Sequence, residues 1–165
     1  MSTLDGVLAG ILDGTQAYTT YAVIDRDSAA LDDPIWSLGV AASGNHNVAH
    51  RALASNDYIA RAQAGSVTTS TGTQTVGASP VRITAMFTGT TVSGWIGSAL
   101  SINAAANIQA PVCDRFFVGT NRYTGSFLQY FSGWIGDILI YTSAHDAAAR
   151  ARVWAYLQTL YVGLA

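Results

Sequence analysis

From Val81 to Phe87 the chain alternates with a period of two: Val81, Ile83, Ala85 and Phe87 fall on one side, Arg82, Thr84 and Met86 on the other. That period predicts a strand. Thr88-Gly89-Thr90 reads as a turn and Thr91 to Ile96 as the returning strand. Gly97-Ser98 marks another turn before a strand from Ala99 to Ile102, and Asn103 to Pro111 reads as a loop of small residues. Upstream, Gln16 to Asp25 and Ile35 to Ala41 are rich in aromatic and β-branched residues, which suits strands. Asp25 to Pro34 between them is a polar turn region. His46 to Ala54 and Asn56 to Ala62 predict a hairpin around Ser55-Asn56-Asp57. Val67 to Val76 is almost wholly Thr, Ser and Gly and reads as a polar exposed strand or strand pair. Cys113 to Gly119 is a strand centred on Phe116-Phe117-Val118, and Thr120 to Ser132 a long loop pinned by Tyr123, Phe127, Tyr130 and Phe131. Gly133 to Thr142 is apolar on both faces and predicts a central buried strand.

The period then changes. Arg150, Val153, Trp154, Leu157, Leu160 and Tyr161 recur at helical spacing. Ser143 with Asp146 three residues on forms a capping-box arrangement, and Gly163 stands where a terminating glycine belongs. These signals predict a helix over 143–162, with Trp154 and Leu157 in the core beside Phe117, Trp134, Ile138 and Ile140. Strands up to residue 142 and one terminal helix make an all-β domain of the two-sheet sandwich type. Residues 1–165 read as a single domain, with 1–14 as an apolar arm or short helix in front of the first strand.

Composition narrows the chemistry. The chain has 165 residues, half of them apolar and 11% charged. Its eight basic residues are all Arg and its ten acidic residues all Asp. Without Glu, any mechanism that needs a glutamate acid, base or nucleophile is excluded. A net charge of −2 argues against binding nucleic acid by phosphate neutralisation. The lone Cys113 forms no internal disulfide and reads as a small buried apolar residue. Met1-Ser2-Thr3-Leu4-Asp5 lacks a basic n-region, so no secretory signal is expected, and no apolar run approaches a membrane span. A surface built largely from Ser, Thr, Asn, Gln, Gly and Ala lacks the charge repulsion that keeps monomers apart, which favours an assembled homo-oligomer.

Phe131-Ser132-Gly133-Trp134-Ile135-Gly136-Asp137-Ile138-Leu139-Ile140-Tyr141 resembles the closing strand of concanavalin A-like (LamG-type) jelly rolls. In that family the strand reads aromatic, any residue, Gly, any, Ile, Ala or Gly, acidic, then an aliphatic run ending in Tyr. Tyr18 to Arg26 resembles an early strand of the family, and Met86 to Val92 its hairpin. Asp137 stands where the family more often has Glu. The resemblance implies an antiparallel two-sheet jelly-roll sandwich with one C-terminal α-helix. That fold hosts legume lectins, pentraxins, laminin G modules, β-glucanases and compact bacteriophage structural proteins, so it does not assign a function by itself.

Candidate sites follow. Retaining glucanases need two carboxyls about 5–5.5 Å apart, and the family supplies them from Glu-x-Asp-x-x-Glu. This chain has no Glu, and Asp25-x-Asp27 is its one Asp-x-Asp pair, reading as a solvated turn. A serine hydrolase of the Gly-x-Ser-x-Gly type is excluded too. His46 and His50 lie four apart in strand-like sequence without a third ligand, so partner contact outweighs zinc. Asp25, Asp27, Asp32 and Asp33 are the calcium candidates, since Ca²⁺ prefers hard oxygen ligands. Glycan or partner contact is expected from Trp36, His46, His50, Tyr58, Trp95, Arg122 and Tyr123. No catalytic residue and no resident cofactor is expected.

Taken together, the sequence predicts a non-enzymatic virion structural protein of a bacteriophage, either a head decoration or a tail- or fibre-associated protein. It would be made in the host cytoplasm and held to other virion proteins by protein contacts. The alternative is a lectin-like carbohydrate-binding module that recognises host surface glycans.

Overall fold

The computed structural model describes residues 17–26, 33–39, 46–52, 58–64, 66–71, 80–105, 115–123, 126–161 and 163–164. They form twelve strands and one helix. In chain order the strands are β1 (Tyr18–Arg26), β2 (Asp33–Gly39), β3 (His46–Ala52), β4 (Tyr58–Ala64), β5 (Ser66–Thr71) and β6 (Val81–Phe87). There follow β7 (Thr91–Ile96), β8 (Ala99–Ala105), β9 (Arg115–Val118), β10 (Thr120–Tyr123), β11 (Ser126–Tyr130) and β12 (Gly133–Tyr141), then α1 (Ala147–Leu160). One five-stranded sheet runs β12-β1-β6-β7-β8, a second runs β5-β4-β3-β2-β9, and β10 pairs with β11. Every described pairing is antiparallel.

The two sheets meet on a core that the β1–β6 register explains. Tyr18 pairs with Phe87, Ala22 with Ile83 and Ile24 with Val81. Cross-strand partners share a face, so these six residues form one apolar surface. It packs against Ile35, Trp36 and Phe116 of the opposing sheet. Aromatic contacts tie the layers: Tyr18 meets Trp36 edge-on at 6.3 Å between centroids, and Trp36 stacks on Phe116 at 5.6 Å. Such pairs add about 0.5–1.5 kcal/mol beyond the area they bury.

The opposite face of the first sheet is covered as well. Tyr21, Val23, Leu157 and Leu164 form a second core, with Leu139, Val153, Trp154 and Tyr161 packed against it. The helix therefore makes a third layer over β1, β6 and β12. This explains why the polar side of β6 is not at the surface. Arg82 is 6% exposed, with its guanidinium 5.5 Å from the Trp154 ring centroid, and Thr84 is fully buried. Burial lowers the Arg82 pKa, though an arginine so placed stays cationic at neutral pH.

Several expectations are corrected. Asn103 to Ala105 belongs to β8 and not to a loop. Thr120 to Ser132 holds the β10–β11 hairpin, in which Arg122 pairs with Phe127 and Tyr123 with Ser126. Thr and aromatic residues on either side of Thr124-Gly125 are ordinary hairpin chemistry. β12 ends its sheet among the described strands and is not central. Its apolarity on both faces reflects layers above and below it: Ile135, Ile138 and Ile140 reach the inter-sheet core, and Leu139 the helix-side core.

The helix begins later than expected. Its N-cap is Asp146, whose carboxylate accepts from the Ala149 N–H at 2.7 Å. Ser143 instead lies before the helix, where its carbonyl accepts from Thr19 Oγ1 at 2.7 Å. The helix stops at Leu160, and Gly163 has a φ of 83°, the left-handed conformation expected after a helix end. No helix among the described residues is long and apolar enough to cross a membrane. The proposed arm, 1–14, and Cys113 lie outside the described residues.

Candidate functional site

The tryptophans change places relative to expectation. Trp36 and Trp95, expected to offer contact platforms, are 2% and 8% exposed. Trp36 is locked between Tyr18 and Phe116, and the Arg150 guanidinium lies 4.1 Å from the Trp95 ring centroid. Both are core residues because each strand sits under a covering layer, the first sheet for Trp36 and the helix for Trp95. Trp134, expected in the core, is 47% exposed. Of the other expected core residues, Phe117 and Leu157 are buried, and Ile138, Ile140 and Trp154 are half-buried against it.

The remaining candidates are placed only in part. Asp25 is half-buried at the end of β1 and pairs with Trp134. Asp33 opens β2 opposite Ala52, while Asp27 and Asp32 lie outside the described residues. Among the described residues no three His, Cys or Asp side chains gather as a metal site. His50 lies opposite Trp36, His46 opposite Gly39 and Tyr58 opposite Ala52 in the second sheet. The side chains of His46, His50, Tyr58, Arg122 and Tyr123 lie outside the described part.

What the fold builds around Trp134 starts from a bulge. Ala22 pairs with Ile138 but Ile24 with Ile135, so Gly136 and Asp137 share the space opposite Val23. A Cβ on Gly136 would lie 2.6 Å from Trp134 Cη2 and 2.7 Å from the Tyr161 hydroxyl. Only a residue without a side chain lets the indole and the phenol close over the backbone there. Tyr161 meets the Trp134 ring edge-on at 5.5 Å. Its hydroxyl accepts from the Asp137 N–H at 3.0 Å. Burial raises the Tyr161 pKa first; the Asp137 N–H opposes that, and the Asp137 carboxylate, hydrogen-bonded to the same hydroxyl, adds to it. Trp134 is thus seated on Gly136, braced by Tyr161 and flanked by Asp25 and Asp137, with about half of its surface open.

A second polar cluster joins the helix N-terminus to β1. The Tyr21 hydroxyl and His145 Nδ1 share a hydrogen bond of 2.8 Å. The His145 N–H donates to Thr19 Oγ1 at 2.9 Å, and Arg150 Nη1 donates to the His145 carbonyl at 2.7 Å. Tyr141 lies tilted against the imidazole with 4.4 Å between centroids. Burial pushes the His145 pKa below its ordinary value, opposed by Asp146 and assisted by Arg152 and Arg150. Burial also raises the Tyr21 hydroxyl well above its ordinary value. Arg150 Nε is buried without a hydrogen-bond partner, and the remaining bonds make the cluster a latch between layers.

Sequence reasoning missed Trp134 as a surface group because its strand is apolar throughout. One signal was present: Gly136, two residues on, which leaves room for a large ring to fold across the strand.

Among solved structures, the CBM40 module of the Ruminococcus gnavus IT-sialidase, bound to α2,3-sialyllactose, superimposes with a TM-score of 0.76. It is 11% identical, over 94% of this chain and 91% of that one. The leech intramolecular trans-sialidase complexed with 2,7-anhydro-Neu5Ac matches at 0.72 and 15% identity, over 89% of this chain but 24% of that enzyme. The heptameric SAP-like pentraxin of Limulus polyphemus matches at 0.63 and 12% identity, over 88% and 69%. The fold is a concanavalin A-like jelly roll. At these identities the likeness is one of architecture. No family model matches the chain, and no curated protein matches it by sequence. The jelly roll is here a sandwich of two five-stranded sheets with a helix laid over one outer face.

Proposed function

We propose that this jelly roll is a non-catalytic, lectin-like carbohydrate-binding module. The observation that carries the reading is the match of module to module. The R. gnavus CBM40, solved with sialyllactose, is covered over 91% of its length, whereas the leech enzyme is matched over 24%. The chain thus spans nearly the whole of one such glycan-binding module. The absence of Glu from the sequence removes the acid and nucleophile used by glucanases of this fold. Half-exposed Trp134 beside Asp25 and Asp137 adds the aromatic surface and hydroxyl acceptors that sugar binding draws on. These neighbours favour the glycan-binding alternative over the virion-structural reading.

The test is a glycan array that includes sialylated and neutral oligosaccharides, followed by calorimetry on the hits. Both are run with Ca²⁺ and with chelator, because Asp25, Asp27, Asp32 and Asp33 are the calcium candidates. Saturable binding to a defined glycan supports the reading. An array without hits in either condition overturns it and returns attention to protein partners.

A further inference from the structure

We propose that Trp134 and its seat form a stacking subsite for the apolar face of a neutral pyranose; this rests on the glycan-binding reading and gives it a location. Three observations carry it. The first is exposure. Of the four tryptophans, Trp36 and Trp95 are buried and Trp154 is half-buried with its N–H bonded to Thr84, while Trp134 is 47% exposed. An indole left half open forgoes the burial that Trp36 and Trp95 secure.

The second is rigidity. The ring crosses Gly136, where a Cβ would come within 2.6 Å of Cη2, and Tyr161 braces it edge-on at 5.5 Å. Tyr161 is itself pinned through the Asp137 N–H at 3.0 Å. A side chain already held in place loses little rotamer freedom when a ligand lands on it, so more of the contact energy appears as affinity.

The third is the company the ring keeps. A pyranose presents C–H groups on its face and hydroxyls around its rim. Asp25, paired across the ladder with Trp134, and exposed Asp137 place carboxylate acceptors beside the ring, where rim hydroxyls would reach them. Two carboxylates repel an anionic sugar, so the subsite takes a neutral hexose and disfavours the carboxylate of a sialic acid.

The experiment is a titration of the full chain with lactose, a short β-linked glucan and 3′-sialyllactose, read by calorimetry and by indole fluorescence. It is repeated on Trp134→Ala, Trp134→Phe and Gly136→Ala, each checked by thermal melting. The expected result is binding of a neutral saccharide with a change in indole emission. Trp134→Ala should weaken that binding about tenfold and abolish the emission change. Trp134→Phe should retain part of it, and Gly136→Ala, which keeps the indole but fills its seat, should weaken it too. Folded Trp134→Ala that binds as tightly as wild type overturns the subsite while glycan binding stands. So does wild type that binds sialyllactose through its sialic acid alone. Should Trp134→Ala fail to fold, Trp134→Phe decides: unchanged affinity and unchanged emission response overturn the subsite. If no saccharide binds wild type, the subsite and the glycan-binding reading fall together.

Discussion

The Trp154 indole nitrogen donates to Thr84 Oγ1 at 2.8 Å and thereby joins the helix to the middle strand of the first sheet. Thr84 is fully buried and Trp154 half-buried, so the bond lies largely out of water. Replacing the threonine by valine keeps the volume and strands the indole N–H. An unsatisfied buried donor costs about 1–3 kcal/mol. Thr84→Val should lower unfolding free energy by that amount in a urea titration. A loss below a few tenths of a kcal/mol would show that water replaces the bond.

Leu157 is fully buried between the helix and the sheet. Leu157→Ala should cost about 2–5 kcal/mol, the usual range for emptying such a site. Hydrogen exchange should then rise first in α1 and in the outward backbone of β12, since the helix layer loses its central anchor. Uniform protection across both sheets and the helix would contradict that layered account.

Asp146 accepts from the Ala149 N–H at the start of α1. Asp146→Ala should cost about 1 kcal/mol, and Asp146→Asn much less, because an amide oxygen serves as a cap. Ser143→Ala should leave stability near wild type, since only its carbonyl is engaged. The three melting curves together decide where the cap lies.

His145 carries the pH dependence. Its folded pKa is depressed by burial, so the folded state favours the neutral ring. The unfolded chain takes up a proton near the ordinary pKa of about 6.5. Stability from this group is therefore complete above that value. It declines as pH falls through it and levels off below the folded pKa. The groups facing the ring are Tyr21, Tyr141, Asp146, Arg150 and Arg152. Melting temperatures should fall between pH 7.5 and 5.5 in wild type, with a shallower slope in His145→Gln. Equal slopes would assign the effect to other groups.

Local pattern rendered much of this fold readable. The alternation of Val81 to Phe87 and the helical spacing from Arg150 onward report the backbone period directly, and both elements are present, the strand as expected and the helix with a later start. Lateral position is another matter. Gly133 to Tyr141 is apolar on both faces whether it lies mid-sheet or at an end, because layers above and below suffice to explain it. The same limit hid the fates of the tryptophans. Whether Trp36, Trp95 or Trp134 meets solvent depends on which layer lies over its strand, and apart from Gly136 beside Trp134 no residue within a few positions reports that. The cap was misplaced for a related reason: Ser143 and Asp146 are both good caps, and the Thr19 contact that engages Ser143 comes from the far end of the chain.

The ladder between β1 and β12 sets Thr19 opposite Tyr141 and Thr20 opposite Ile140. The first described strand is thus completed by the last. On a ribosome, the early strands would emerge long before the segment that closes their sheet, and before the helix that covers its outer face. Until Tyr141 is made, one flank of β1 has no partner, and the apolar residues beneath the helix stand open. Such distant pairing is slow to form and leaves sticky edges while it waits. The nascent chain is therefore most open to mispairing until β12 and α1 have been made.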